Sequence, residues 1–289
     1  MPELMKGHTW ADRKHKVQYP VWVEPKVDEI RVHVVRDETS VIYLSYAGKP
    51  LFNLERMSEF LFDMMQANHL WELDCGVQIN DNFADTYKWV RSSKGAPKVE
   101  LRRFVLHLYD IPTTPVIYAQ RKDKLSWLTS RYSPSGWELK VLPHYIAQND
   151  EEVEERYATL REYGYEGIMV KDPAGLYSRG KRTDAWLKLK PDADADGTIV
   201  GFVQAVCGKD QPEKGLKKGD LLGRAGAIEV LCEDGSRATP HGIPHQLGVD
   251  MLLHPERYLG QWCEFKYMER DRQGGYRHPV FNRLREAKA

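Results

Sequence analysis

Residues 21–35 read VWVEPKVDEIRVHVV. VWVEP at 21–25 and IRVHVV at 30–35 are rich in β-branched and aromatic residues, so the stretch predicts two strands with a polar turn between them. VIYLSY at 41–46 is a third such run, and RDETS before it supplies turn residues, so a small antiparallel sheet is expected to begin here. Glu24, Lys26, Asp28, Glu29 and Arg31 crowd around the first turn. An ordinary polar hairpin edge would carry the same residues. A lysine becomes a nucleophile only when its amine is neutral, which desolvation and neighbouring positive charge promote. Lys26, at the end of an apolar strand, meets that condition only if the strand end lies inside a cleft.

The chain around this stretch has 289 residues, which at roughly 150 residues per domain suggests two domains. Apolar residues at 42% with 8 Trp, 15 Tyr and 8 Phe exclude a disordered or fibrous chain. No apolar run approaches the roughly 18 residues needed to span a bilayer, and the first twenty residues lack a signal-peptide core. A soluble, unexported, cytoplasmic protein with no membrane partner is expected. Cys75, Cys207, Cys232 and Cys263 have no close pair and no His at metal-ligand spacing, which argues against a disulfide framework or zinc module. Lys plus Arg balances Asp plus Glu at 42 each, so no global field advertises a nucleic-acid partner. Lys171 to Lys190 nevertheless carries six basic residues against two acidic ones. That is either a local anion-binding surface or a solvated charged face.

Leu54 to Trp71 has apolar residues at helical spacing and is followed by a strand-like run, ELDCGVQI. In RRFVLHLYDI at 102–111, Phe104, Leu106 and Leu108 alternate as in a strand. Asn149 and Glu152 predict a capped helix ending at Gly164. EGIMVKD at 166–172 and AWLKLKP at 185–191 predict two strands separated by the basic loop PAGLYSRGKRTD. DADADGT after Pro191 is polar enough to be a linker or exposed bend, and the roughly 95 residues of short strands beyond it suit a small β-barrel. In a strand, Lys188 and Lys190 project from one face, and two ammonium groups side by side need an anion such as a polyphosphate. A solvent-exposed edge guarded by lysines is the other reading.

Together these clusters resemble the covalent nucleotidyltransferase superfamily: DNA ligases, RNA ligases and mRNA-capping guanylyltransferases. The family's Lys-x-Asp-Gly-x-Arg motif is matched by Lys26, Asp28 and Arg31; EGIMVK and WLKLKP resemble its fourth and fifth motifs. VLHLYDI looks like the segment whose aromatic residue, here Tyr109, stacks on the purine. RHPVFNRLREAK is similar to the last motif of DNA ligases, with Arg277, Pro279, Phe281, Arg283, Arg285 and Lys288 matching and Ala287 standing where an acid is expected. The match therefore runs from residue 24 to 288 and is similar to ATP-dependent DNA ligases of the minimal two-domain type found in bacteriophages and bacteria. Three positions depart from it. Glu29 replaces a glycine, Tyr46 an arginine, and Cys75-Gly76 a Gly-Glu pair. Glu29 or Glu72 is expected to supply the missing carboxylate. Gly175 to Arg182 has the glycine and lysine spacing of a P-loop, but Arg182 replaces the required Ser or Thr and a strand is expected next, so it reads as basic cover for phosphates.

The resemblance implies an α+β chain: a nucleotidyltransferase (ATP-grasp-like adenylation) domain at 1–192 and a small β-barrel OB-fold DNA-binding domain at 193–289. It implies that Lys26 takes AMP from ATP and passes it to a 5′-phosphate, after which a 3′-hydroxyl seals the break. Glu24 is expected at the adenine edge, Arg31 at ribose or phosphate, Asp28 as an orienting group, Lys188 and Lys190 at the α-phosphate, and Lys181 at ATP or DNA. Glu166 is expected to hold Mg²⁺ by carboxylate oxygen. Arg277, Arg283, Arg285 and Lys288 are candidates for DNA binding or domain closure. The partners implied are ATP and nicked or broken duplex DNA, with the protein a monomer in a bacterial or virus-infected cell. The same covalent lysine would serve an RNA ligase or capping-type transferase, and an impaired homologue would only bind DNA.

Overall fold

The structure is a computed structural model that describes residues 4–271 and 273–285, so Ala287 and Lys288 of the last motif lie outside the described residues. The chain divides into two compact units between Leu189 and Lys190.

The first unit holds two five-stranded sheets. One is built from β1 (Lys6–Thr9), β2 (Val21–Lys26), β8 (Tyr145–Ala147), β9 (Gly167–Lys171) and β10 (Arg182–Leu189), in the order β1-β10-β9-β2-β8 and antiparallel except at β1/β10. The other is built from β3 (Ile30–Arg36), β4 (Val41–Ser45), β5 (Glu72–Ile79), β6 (Phe104–Asp110) and β7 (Glu138–Val141), in the order β4-β3-β5-β6-β7 and parallel only at β6/β7. Side chains alternate between the faces of a strand, so each sheet has an apolar back. Val32, Val34, Leu73, Cys75, Val77, Phe104, Leu106 and Leu108 are buried with Leu61, Met64 and Met65 of α2 (Ser58–Ala67) and Leu125 and Leu128 of α4 (Tyr118–Arg131). Val21, Val23, Ile168, Val170 and Leu187 are buried with Val153 and Leu160 of α5 (Asp150–Glu162) and Trp10 of α1 (Trp10–Arg13). Asn149 caps α5 by accepting from the Glu152 N–H at 2.9 Å, and Gly164 follows with φ 85°, as the sequence predicts.

Two expectations are corrected. β2 and β3 do not form a hairpin; they belong to different sheets, and residues 27–29 carry the chain from one to the other. Val-Asp-Glu lacks the Gly or Asn of a tight hairpin turn, while β2 finds its neighbours far along the chain in β8 and β9. Residues 192–198 are no linker, because β11 (Ala193–Val206) runs straight through them. Ala193 to Thr198 pair with β14 (Trp262–Tyr267), and Asp192 and Asp196 face Lys266 and Arg285. Small alanines and glycine hide the period-2 pattern from a hydropathy reading. The helices α3 (Phe83–Arg91), α4 and α6 (His245–Leu253) are additional to those read from the sequence.

In the second unit β12 (Leu221–Cys232), β13 (Arg237–Ala238) and β15 (Val280–Arg285) complete a five-stranded antiparallel sheet in the order β13-β12-β11-β14-β15. His241 makes single-residue bridges to Ala227 of β12 and Val280 of β15. Met251 of α6 packs with Ile199, Ile228, Val230, Phe265 and Phe281 into that unit's own core. Among the described residues no helix is long and apolar enough to cross a membrane.

In the first unit, Arg121 on α4 grips Asp110 at the end of β6 with two parallel bonds, Nε to Oδ1 at 2.5 Å and a terminal nitrogen to Oδ2 at 3.0 Å, and both residues are buried. Removing one partner of such a pair strands the other charge without water. Arg121→Met is therefore expected to destabilise the protein by about 3–5 kcal/mol in urea unfolding, and adding Asp110→Asn to recover part of that loss.

Candidate active site

The front faces of the two sheets are as polar as their backs are apolar. On the first sheet Glu24, Met169 and Lys188 lie in one cross-strand row, and Trp22, Lys171 and Trp186 in the next. On the second, Arg31, Gly76 and His107 form a row flanked by His33 and Asp74. Between them lies a cavity of about 310 Å³, lined among others by Lys6, Glu24, Lys26, Glu29, Arg31, Tyr109, Lys171, Arg182 and Lys188. Cations outnumber acids in this lining, which suits an anionic ligand with an apolar part resting on Met169, Trp186 and Tyr109.

Lys26 ends β2, and its cross-strand partner is Gly167, which puts Glu166 beside it. The Glu166 N–H donates to the Lys26 carbonyl oxygen at 2.9 Å, and the two side chains form an ion pair with Glu166 mostly buried. Glu24, two residues earlier on the same face, is wholly buried. It accepts from Lys122 Nζ at 2.7 Å and from the Tyr118 hydroxyl, and Lys171 Nζ lies 2.8 Å from its other oxygen. Burial pushes the Glu24 carboxyl up, but Lys171 and Lys122 together outweigh it and hold the group below the usual carboxylate range. The same burial drives the Lys122 ammonium down against the pull of Glu24.

Arg31 donates from Nε to Asp74 Oδ1 at 2.8 Å and from a terminal nitrogen to the Met5 carbonyl oxygen at 2.7 Å. Tyr177 donates to the second Asp74 oxygen at 2.8 Å. The guanidinium is thus aimed before any ligand arrives. Glu29 is buried with Oε2 2.8 Å from His107 Nδ1, and burial pushes its carboxyl up despite His107 and Lys26. Glu72 is engaged elsewhere, 2.7 Å from His33 Nε2 and 2.8 Å from an Arg179 nitrogen. The Tyr46 ring lines the same cavity and receives Lys6 Nζ 4.6 Å from its centroid. A cation over an aromatic face is itself a stabilising contact, so Tyr46 places a positive charge at a position where it carries none itself.

The structure therefore places Glu24, Lys26, Arg31, Tyr109 and Lys188 around one cavity, with Glu166 paired to Lys26. Lys181 is exposed outside the cavity lining, whereas its neighbour Arg182 is part of it. Lys190 is the first residue of the second unit, with Nζ 3.5 Å from Met268 Sδ. Arg277 pairs with Glu269, Arg283 with Glu264, and Arg285 with Asp196, all within the second unit. Lys6, His107 and Lys122 escaped the sequence reading, while Lys171 and Arg182 were read only as parts of a motif and a basic loop, with no site role of their own. For Lys171 the signal was present, since it shares strand parity with Met169; Lys6 and Lys122 come from distant segments with no motif.

A family model described as the ATP dependent DNA ligase domain matches residues 10–190. The chain belongs to the ATP-dependent DNA ligase domain family. It is 33% identical over 154 residues to the DNA ligase of Enterobacteria phage T3, covering 51% of this chain and 41% of that protein. It is 30% identical over 174 residues to the DNA ligase of Escherichia phage T7, covering 55% and 48%. The matches therefore span about half the length of these relatives. A solved structure from work on DNA binding with a minimal scaffold by Lig E DNA ligases superposes with a TM-score of 0.70 at 18% identity, covering 99% of this chain and 100% of that one. At that identity the likeness concerns the fold alone.

For this ligase-family chain the buried Glu24 cluster makes a stability prediction. The Glu24 carboxyl titrates below its unfolded value of about 4.5. Its stabilisation is thus complete above that pH and is lost as pH falls through the depressed folded-state value. Glu24→Gln should destabilise by about 3 kcal/mol at pH 7 and flatten the fall in stability below pH ~4.5, read from urea midpoints across pH.

Proposed function

We propose that the chain is an ATP-dependent DNA ligase that seals 5′-phosphate/3′-hydroxyl breaks in duplex DNA through lysyl-AMP and DNA-adenylate. The observation that carries this reading is Lys26 in the lining of a cation-rich cavity, ion-paired to Glu166, with Lys188 and Arg31 contributed by the two sheets. In the first transfer Lys26, after passing one proton to Glu166 beside it or to solvent, attacks the α-phosphorus of ATP through its neutral Nζ; an N–P bond forms, the bond from that phosphorus to the α,β-bridging oxygen breaks, and pyrophosphate leaves with that oxygen. Charge moves among phosphate oxygens throughout, so positioning and electrostatic stabilisation supply most of the acceleration. Lys188, on a strand in register with β9, faces the phosphates; Arg31, pre-aimed by Asp74, faces ribose or α-phosphate; Tyr109 stacks on adenine. Glu24 stands at the adenine edge, although its oxygens already serve Lys122, Lys171 and Tyr118.

Mg²⁺ fits a donor set of this kind, since it keeps several waters and needs only one or two carboxylates plus substrate phosphate; Glu166 would hold it, and the bound ion would supply the positive charge that offsets the phosphates. The second unit reads as an OB-fold DNA-binding barrel, with the single-residue bridges of His241 joining β12 to β15. Arg283 and Arg285 would exchange Glu264 and Asp196 for DNA or pyrophosphate oxygens during closure. Lys190 and Lys181 remain candidates for contact with phosphates in that state. A monomer working in the cytoplasm on DNA is the setting this reading implies.

Incubation with ATP labelled at the α-phosphate is expected to place label on Lys26, and Lys26→Ala to abolish it while lowering nick sealing at least ~10³-fold, in line with the loss of a covalent nucleophile. DNA binding by Lys26→Ala should survive and weaken steeply with salt, because phosphate contacts release counterions. Folded wild-type protein that takes no label from ATP and Mg²⁺ would overturn the proposal. Efficient sealing only where RNA supplies the 3′-hydroxyl would redirect it to RNA ligation.

A further inference from the structure

Glu29 Oε1 is a buried carboxylate oxygen with no hydrogen-bond partner, on a side chain only 3% exposed that lines the cavity. Buried polar atoms are almost always bonded, so an orphan on a residue that lines a cavity points to a donor supplied by a ligand. Its geometry depends on Gly76. A Cβ at that position would overlap both the Glu29 carboxyl and the Tyr109 hydroxyl, so the missing side chain is the socket that admits the carboxyl. Gly76 lies in register between Arg31 and His107, and His107 holds the other oxygen in place.

We propose that Glu29 Oε1 accepts a hydrogen bond from a ribose hydroxyl of the bound adenine nucleotide, and that Gly76 is the socket that lets Glu29 reach it. This rests on the nucleotide reading of the cavity. The donor is a hydroxyl because that is the neutral donor a nucleotide presents between its base and its phosphates. The order of groups agrees. Tyr109, the base-stacking candidate, shares the Gly76 socket with Glu29, and Lys26, which reaches the α-phosphate, is a charged neighbour of the same carboxyl. A ribose lies between a base and an α-phosphate. Glu72, the other acid expected from the sequence to replace a missing carboxylate, is bonded through both oxygens to His33 and Arg179 and does not line the cavity. The departures at 29 and 76 are then one exchange, a carboxylate moved from β5 to the segment between β2 and β3.

The test is calorimetric binding of ADP, 2′-deoxyADP and 3′-deoxyADP, which needs no reaction at Lys26. Wild type should bind one deoxy analogue about tenfold more weakly than ADP, the scale of a single hydrogen bond. Glu29→Gly and Glu29→Ala should bind ADP about tenfold more weakly and show no preference, and Gly76→Ala should behave alike with Glu29 intact. Thermal melts of each variant confirm folding. Wild type that binds ADP without hydroxyl preference, or single variants that keep it, would refute the Glu29 assignment alone. No ADP binding by wild type would instead sink the nucleotide reading beneath it.

Discussion

Glu24 accepts a phenol and faces two ammonium groups in a space closed to water, and the placement of the catalytic candidates depends on that cluster. Its members come from β2, β9 and α4, so a single carboxylate ties the strand that ends in Lys26 to the neighbour that carries Glu166 and to the helix behind. Burying one carboxylate alone would cost far more than a strand pairing returns. With Lys171 and Lys122 within 2.8 Å the Coulomb attraction overturns that cost, and the carboxyl stays ionised. Lys171 is further held between the rings of Tyr118 and Trp186, at 4.5 and 4.4 Å from their centroids. A front face built this way cannot slide by one residue, because a slip would turn Glu24 into the apolar back and Val23 into the charge cluster.

The same parity accounts for what could be read from the sequence. Strands at 21–26, 30–36, 41–45, 72–79, 104–110, 167–171 and 182–189 announce themselves through β-branched and aromatic runs, and Lys26, Arg31, Glu166 and Lys188 lie in motifs on four of them or directly beside them. Those residues converge because the motifs are strand ends facing one cavity. What the sequence hides is pairing. Nothing local says that β2 leaves β3 for β8 and β9, and a polar turn of Val-Asp-Glu is compatible with either choice until the long-range partners are known. Asp-Ala-Asp-Ala-Asp looks like a linker because alanine contributes little hydropathy, although its period of two is already that of β11.

Distant partners are the other hidden layer. Asp74 aims Arg31, Tyr177 bonds Asp74, and the Met5 carbonyl oxygen takes a further guanidinium proton. These residues stand at positions 5, 31, 74 and 177, so no window of sequence holds them together. The convergence commits Nε and one terminal nitrogen of Arg31 to fixed acceptors, and a guanidinium held this way loses little side-chain entropy when a phosphate or ribose arrives.

Charge balance over the whole chain obscured the site for a related reason. Forty-two basic and forty-two acidic residues cancel, yet the acids in and behind the cavity walls are spent on local pairs: Glu24 on Lys122 and Lys171, Asp74 on Arg31, Glu72 on Arg179 and His33, Asp110 on Arg121. Lys6, Lys26, Arg31, Lys171, Arg182 and Lys188 line the cavity against only Glu24 and Glu29. Electrostatic focusing in a cleft depends on this local surplus within a Debye length of about 8–10 Å, and the remaining charges of the chain are screened beyond it. A neutral protein can therefore present a strongly anion-attracting cavity, provided its acids are bound into the walls that shape it.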